Sequence, residues 1–257
     1  MKKALVGFAS VIMLLVAAWG AWADFTATIN DNDATNGGTS FLGGTVQGTL
    51  PNQDVLGVGL FDVNSMTIAV VGKQMTVTLQ GPYFSNINET SPSDVKDFGK
   101  PGDLYINPTG WIASGTAPHF ATDTFNAAAE GWKYVVGQGF DGFGVYALNT
   151  ALPSFQQTSS ALHWSDYRTN QAWVGGYAGV AKLTGASEIF DTTAGTLVYT
   201  IPDISGLGLG STMGFHWTQE CGNDVVEGQV GVPEPGSMLL LGFGLFGLGA
   251  VGRKIKK

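Results

Sequence analysis

The chain has 257 residues and a formal net charge of −8, and its 12 % of charged residues is about half of what soluble domains usually carry. Between residues 24 and 232, 19 acidic and six basic residues leave a net charge of −13. This balance excludes the basic footprint that nucleic-acid binding requires. The single cysteine, Cys221, excludes an intramolecular disulfide, so the fold must depend on a conventional apolar core.

The first 23 residues have the pattern of a secretory signal peptide. Two lysines precede an apolar run from residue 4 to residue 18, and Ala21-Trp22-Ala23 is a small-x-small cleavage site. The pattern predicts export and a mature chain that starts at Asp24. An N-terminal anchor that is not cleaved is the alternative.

Oxygen-bearing side chains follow the first predicted strand, in the segment Asp31-Asn32-Asp33-Ala34-Thr35. Their alternate spacing is that of the start of an EF-hand loop, but position six is Asn36 and position twelve is Leu42, so the EF-hand pattern fails. Asp31 and Asp33 are therefore candidate Ca²⁺ ligands in a loop of another kind, and an ordinary polar turn is the alternative. No other cofactor is expected.

Period-two alternation bounded by glycine is the dominant pattern of the middle of the chain. Two arms, 66–71 and 74–79, flank Gly72-Lys73, and in the second arm Met75, Val77 and Leu79 alternate with polar residues. The pattern predicts a β-hairpin with one buried face and a type II′ turn, in which Gly72 supplies the positive φ.

Similar short runs recur along the chain at irregular spacing. Many short strands with turn residues between them predict an all-β fold, a single jelly-roll-like β-sandwich over residues 24–231. Residues 123–131 are the one helix candidate, short enough to be a single turn on a loop. The other strand candidates are 25–29, 45–50, 55–63, 103–106, 133–136, 144–148, 172–174, 196–201 and 213–218.

Residues that carry catalysis are scattered. The histidines at 119, 163 and 216 do not lie at zinc-ligand spacing from one another or from Cys221, and no G-x-S-x-G elbow occurs. The sequence therefore predicts neither an enzyme nor catalytic residues. Acidic neighbours oppose ionisation of the Cys221 thiol, so we expect a buried, inert cysteine, with a reactive or intermolecular thiol as the alternative.

Most aromatic rings of a strand protein fill its core, and each buries about 150–250 Å². Trp173 and Tyr177, which flank Val-Gly-Gly, are the candidate exception, because exposed rings there would stack on sugars. They support an alternative function as a carbohydrate-binding module of the cell surface. A polysaccharide-active enzyme on the same scaffold is a weaker alternative, and fold alone does not choose between them.

The last 26 residues, 232–257, differ in composition from the rest of the chain. Pro233, Glu234 and Pro235 cannot form a helix, whereas the 17 residues from 236 to 252 carry no charge and would span about 25 Å as a helix. The hydrocarbon core is about 30 Å thick, so this run predicts one C-terminal transmembrane helix. Four cations follow it and orient the tail towards the cytoplasm, with the body outside. They are Arg253, Lys254, Lys256 and Lys257.

The Pro-Glu-Pro motif, the glycine-rich apolar run and the basic end, in that order, resemble the PEP-CTERM sorting signal of Gram-negative bacteria. The resemblance implies recognition by an exosortase, a membrane-embedded cysteine protease or transpeptidase. It also implies a transient stay in the inner membrane and then a location at the cell surface or outside the cell, in species that make exopolysaccharide. We therefore expect a structural or adhesive role in exopolysaccharide or biofilm, with exosortase and extracellular polysaccharide as partners. A permanent single-span anchor is the alternative.

Three further segments are similar to segments that recur in a group of PEP-CTERM surface proteins. They are 102–106 with Gly110-Trp111, 132–136, and 215–228. This second resemblance supports a single β domain and implies no activity.

Overall fold

The computed structural model describes residues 24–30, 62–86, 101–111, 125, 127–139, 141–148, 181–219 and 224–233. Almost all regular structure in these residues is β, beside two short helices, Pro82–Asn86 and Ala127–Glu130, and a 3₁₀ turn, Ser205–Leu207. The strands are β1 Phe25–Asn30, β2 Ser65–Val71, β3 Gln74–Gln80, β4 Pro101–Asn107, β5 Tyr134–Gly139, β6 Gly142–Ala147, β7 Lys182–Gly185, β8 Ser187–Asp191, β9 Thr196–Ile201, β10 Thr212–Gln219 and β11 Val225–Gly231.

These strands form two antiparallel sheets. Sheet 1 has the order β1-β2-β3-β9-β8, and sheet 2 has the order β11-β10-β4-β5-β6-β7. Two layers that share one core are consistent with the predicted β-sandwich. Among the described strands, β2–β3, β5–β6, β8–β9 and β10–β11 are pairs of chain neighbours with short connections, whereas β3–β9 and β4–β10 pair strands that are distant in the chain. The jelly-roll part of the prediction stays a prediction.

Trp217 of β10 joins the two sheets across the core. Its fully buried indole donates a hydrogen bond from Nε1 to the carbonyl oxygen of Gly102 at 3.0 Å and contacts the Tyr199 hydroxyl of sheet 1 at 3.1 Å. Its ring also packs against Tyr83 and Phe84 of the first helix, at centroid distances of 6.0 and 5.5 Å. The helix therefore closes the core over an aromatic cluster that belongs to both sheets.

Sheet 1 follows the alternation that its sequence predicts. Met75, Val77 and Leu79 of β3 are fully buried, while the residues between them are half-buried. Gly72 in the β2–β3 turn has a φ of 59°, which confirms the predicted positive φ at this position. The predicted hairpin with one buried face is thus confirmed.

Strands β10 and β4 of sheet 2 are buried on both faces. The last seven residues of β10 are all buried, and so are the last six of β4. The second face is covered by a smaller apolar cluster that includes Tyr105, Phe125 and Trp132. Because both faces are covered, alternation of polar and apolar residues is weak in this sheet.

The other predicted helix and strand boundaries agree in part with those of the structure. The helix that was predicted over 123–131 spans only Ala127–Glu130 in the described residues, which is the single turn expected at its shortest. Strands β7, β8 and β11 were not predicted. The predicted strands 45–50 and 172–174 lie outside the described residues, as do residues 55–61 of the predicted strand 55–63, whose last two residues are not in a strand.

Candidate functional site

Of the predicted sorting, cleavage, metal and glycan-contact residues, Asp24 and Pro233 lie in the described part of the chain. Nothing is described around the rest of that set, so the predicted Ca²⁺ site and glycan-contact pair stay predictions. The residues outside the described part are Ala21, Ala23, Asp31, Asp33, Trp173, Tyr177, Cys221, Glu234, Pro235, Arg253, Lys254, Lys256 and Lys257.

Asp24, the predicted first residue of the mature chain, is held at the start of the fold. Its Oδ1 accepts a hydrogen bond from the backbone N–H of Gly72 at 2.8 Å. The next residue, Phe25, begins β1 and pairs with Val70 of β2. The β-sandwich therefore begins directly at the predicted cleavage site.

Val232 is the last buried residue in the part of the chain that the structure describes. It follows β11, is 8 % exposed, and donates its N–H to the carbonyl oxygen of Ser211 at 2.8 Å. Pro233, one residue later, is exposed. The packed structure and the Pro-Glu-Pro motif therefore follow one another without a spacer.

Both of these chain positions lie at the same end of the sandwich. Strand β1 is antiparallel to β2. Strand β11 runs in the direction of β2, because the N–H of Val63, just before β2, donates to the carboxylate of Asp224, just before β11. Farther along, Gly228 packs so closely on β1 that a Cβ there would lie 2.9 Å from Cγ2 of Ile29. The start of β1 and the end of β11 consequently define one end, which we name the terminal end, and the opposite end is the far end.

Residues 202–211 tie the two sheets together at the terminal end. Ile204 donates its N–H to the carbonyl oxygen of Lys73 in sheet 1 at 3.0 Å. Gly210 donates its N–H to the carbonyl oxygen of Pro108, after β4 of sheet 2, at 2.7 Å. The Gly72-Lys73 turn, this segment and the Val232 junction therefore form one continuous surface.

A carboxylate of this surface is stabilised in its ionised form. The side chain of Ser205 donates to Oδ1 of Asp203 at 2.6 Å, and the Ser205 N–H donates to the same oxygen at 2.9 Å. These hydrogen bonds, with a smaller contribution from Lys73, hold the pKa of Asp203 below its usual range. Asp203 therefore remains negative at neutral pH beside the positive charge of Lys73.

A second polar arrangement lies on the covered face of sheet 2. His216 of β10 is paired in register with Tyr105 of β4 on one side and with Glu227 of β11 on the other. Nδ1 of His216 lies 3.6 Å from Oε1 of Glu227, and the two side chains are 1 % and 3 % exposed. A histidine and a carboxylate are thus placed together away from solvent.

Aromatic rings enclose His216. Its ring centroid lies 5.6 Å from that of Tyr105, 4.9 Å from that of Phe125 and 5.7 Å from that of Trp132. The indole N–H of Trp132 donates to Oε2 of Glu130 at 2.6 Å. Burial, reinforced by the charge of Asp103, raises the pKa of Tyr105 well above its usual value, so this phenol stays neutral.

Asn107 holds the short helix Ala127–Glu130 against the end of β4. Its Nδ2 donates to the carbonyl oxygen of Glu130 at 2.7 Å, and its Oδ1 accepts from the N–H of Thr109 at 3.0 Å and from its hydroxyl at 2.9 Å. We name His216, Glu227, Glu130, Tyr105 and Trp132 the covered network. Its rings shield the histidine, so the arrangement is built for packing rather than for access by a solute.

The covered network collects the three segments of the second resemblance. Residues 102–106 lie in β4, residues 132–136 enter β5, and residues 215–228 belong to the β10–β11 hairpin, and these strands are neighbours in sheet 2. The sequence did not predict this network. The sequence carries no local signal for it, because its members meet only through strand pairing.

Comparison with known proteins identifies the end of the chain. The family model of the PEP-CTERM protein-sorting motif matches residues 231–254. This chain carries a PEP-CTERM protein-sorting motif. The resemblance that was based on Pro233, Glu234 and Pro235 is therefore confirmed. The motif implies an exported protein that passes through the membrane and is sorted by an exosortase.

The PEP-CTERM match begins at Gly231, the last residue of β11, so the motif overlaps the fold by its first residues. No curated protein and no solved structure matches the chain. In the ranges that the structure describes, no helix is long and apolar enough to cross a membrane. The predicted transmembrane run, 236–252, lies outside those ranges. Within the same ranges, no three His, Cys, Asp or Glu side chains are grouped to hold a metal ion.

Proposed function

We propose that this protein is a structural or adhesive component of exopolysaccharide or biofilm, delivered to the cell exterior by its PEP-CTERM tail. Residues 232–257 would hold the chain in the inner membrane for a time, and an exosortase would then process it near Pro233-Glu234-Pro235. The observation that carries the proposal is the continuity of β11 with the motif. Because Val232 belongs to the core, the sandwich itself is the cargo that the tail delivers.

Charge and burial support a role in a hydrated polymer layer. The body has a net charge of −13, which keeps its surface solvated and suits cross-linking by divalent cations. Its one described histidine is enclosed with Glu227 beneath aromatic rings, which supports packing as the role of that pair. In this proposal the protein is the substrate of an enzyme and not itself an enzyme.

Processing is tested with the full chain, carrying one epitope tag in the body and one after Lys257, in cells with and without an exosortase. With the enzyme, we expect the body tag at the cell surface and the C-terminal tag separated from it. Without the enzyme, both tags should remain together in the inner membrane. Immunoblots of membrane, surface and medium fractions measure both outcomes.

A pair of proline variants separates recognition from general stability. Replacing Pro233 and Pro235 with alanine should abolish processing, because the segment then loses its extended conformation. Pro202→Ala is the matched control, since Pro202 is an exposed proline outside the motif. Unchanged processing of the double variant, or a body found in the cytosol, would contradict the proposed route.

The matrix role needs a separate measurement. Cells that lack the protein should form a polymer layer that shears off at lower flow, and the wild-type chain should restore it. A tail-less chain, residues 1–232, keeps the core residue Val232 and should be exported without restoring the layer. If the processed body washes entirely out of the polymer layer in buffer, the structural role is wrong even where the sorting is right.

A further inference from the structure

We infer that the terminal end of the sandwich is a membrane-contact surface, and that the β2–β3 turn, Val71 to Lys73, touches lipid while the tail is still attached. This inference rests on the proposed function, because it takes residues 236–252 to be in the bilayer. It adds an orientation for the body and a second point of contact besides the tail.

The length of the connection carries the first step. Only Pro233, Glu234 and Pro235 separate Val232, which the core holds, from Gly236 at the start of the uncharged run. In an extended polyproline conformation, at about 3.1 Å per residue, the four steps from Val232 to Gly236 span about 12 Å. The headgroup region on one side of a bilayer takes up about 5–8 Å of that distance. The terminal end is therefore held within a few ångströms of the lipid headgroups.

The second step is what the terminal end exposes there. Val71, at the end of β2, is 65 % exposed, the largest fraction among the large hydrophobic residues that the structure describes. Lys73, two residues later, is exposed as well. The turn is bonded to residues 202–211 through the hydrogen bond from the N–H of Ile204 to the carbonyl oxygen of Lys73. An apolar side chain beside a cation, on a rigid turn, suits an interface in which lipid tails lie below phosphate groups.

The third step is the difference in charge between the two ends. In the described ranges, the exposed charges of the terminal end are those of two lysines, Lys73 and Lys133, and two aspartates, Asp24 and Asp203, so they balance. The far end carries Asp62, Asp141 and Asp191 and one described cation, Lys182, whose Nζ donates to the carbonyl oxygen of Asp141 at 2.6 Å. These charges leave the far end acidic. An anionic lipid surface repels the far end and tolerates the terminal end, so both charge and tether favour the same orientation.

Photo-crosslinking to lipid tests this surface in the full-length chain. A photo-reactive amino acid replaces Val71 in one variant and Thr193 in the matched control, which is an exposed residue in the β8–β9 turn at the far end. Each chain is reconstituted into vesicles of phosphatidylethanolamine and phosphatidylglycerol and irradiated, and lipid adducts on the body are quantified by mass spectrometry. We expect several-fold more adduct from position 71 than from position 193.

The outcomes separate the inference from the proposed function. Chains that insert into the vesicles but give equal adduct at positions 71 and 193 overturn the inference and leave the sorting intact. Chains that do not associate with the vesicles overturn both. As a second measurement, Lys73→Glu should reduce the adduct at position 71 several-fold in these anionic vesicles, whereas Lys182→Glu, on the edge strand β7, should leave it unchanged. An equal effect of the two lysine variants also overturns the inference.

Discussion

The two sheets of the sandwich differ in what covers their outer faces. On sheet 1, the outward hydroxyls of Thr28 and Thr67 form an exposed cross-strand hydrogen bond of 3.0 Å. On sheet 2, the outward residues His216 and Glu227 are almost completely buried beneath aromatic rings. A solvated face lets water satisfy its polar groups, whereas a covered face must supply partners from the protein itself. The same substitution is therefore expected to have a larger effect on sheet 2.

The largest expected effect is that of Trp132→Ala, which removes a ring that covers sheet 2. Loss of a buried aromatic side chain typically lowers the free energy of unfolding by about 3–5 kcal/mol. The variant also deprives Oε2 of Glu130 of the indole donor. Urea denaturation of the exported protein, followed by circular dichroism, measures the change. Trp132→Phe keeps an aromatic ring but loses the donor and part of the ring volume, so it should fall between Trp132→Ala and wild type.

The sequence predicted sheet 1 far better than sheet 2, for a physical reason. Met75, Val77 and Leu79 alternate with polar residues because one face of β3 is solvated, and that pattern is visible in the letters alone. In β11, Glu227 occupies a buried position, so the run Val-Val-Glu-Gly-Gln-Val-Gly shows no face that looks solvated. Strand β8 is exposed along most of its length and has no apolar face to reveal it.

The sorting motif and the covered network also differ in how far the sequence alone predicts them. The sorting motif is linear, so the order Pro233-Glu234-Pro235, apolar run and basic end was enough to predict it. The covered network depends on pairing, because the β10–β11 hairpin brings His216 to Glu227 and a separate segment adds Glu130 and Trp132. Such a cluster has no fixed spacing in the sequence. The shared end of Asp24 and Val232 likewise follows from strand directions and not from composition.

Glu227→Gln is expected to cause the second-largest loss of stability. It changes the polar part of the covered network. An amide replaces the carboxylate that lies 3.6 Å from Nδ1 of His216, so the histidine loses a charged partner in a site that water does not reach. We expect the free energy of unfolding to fall by about 1–3 kcal/mol. Thermal and urea unfolding both measure it. A variant as stable as wild type would mean that the covered face tolerates polar change as a solvated face does.

Thr67→Ala is the corresponding change on the solvated face of sheet 1. It removes the hydroxyl that bonds to Thr28, and exposed cross-strand pairs contribute about 0.2–1 kcal/mol. We expect a loss in that range, smaller than that of Glu227→Gln. The two variants are compared in one set of urea curves. A Thr67→Ala loss equal to or larger than the Glu227→Gln loss would break the comparison between the sheets.

The smallest expected effect is a pH-dependent gain in stability when Glu188, on the edge strand β8 of sheet 1, is replaced by glutamine. Partial burial raises the pKa of this carboxyl above its usual value, so folding disfavours its charged form. Its stabilising contribution is therefore present at low pH and is lost as the pH rises through the folded-state pKa. Glu188→Gln should raise the Tm slightly near pH 7 and leave it unchanged well below pH 4, and the gain is small because the side chain is still exposed to solvent. A lowered Tm near neutral pH would contradict this sign.

The start of β1 and the end of β11 at one end of the sandwich have a practical consequence. A domain whose entry and exit points lie together can be inserted whole into a surface loop of an unrelated host without stretching the host backbone. The β8–β9 turn then points away from the point of insertion. A short guest peptide grafted between Asp191 and Gly195 would therefore stand at the end of the sandwich opposite the host surface, which makes this fold a natural display scaffold.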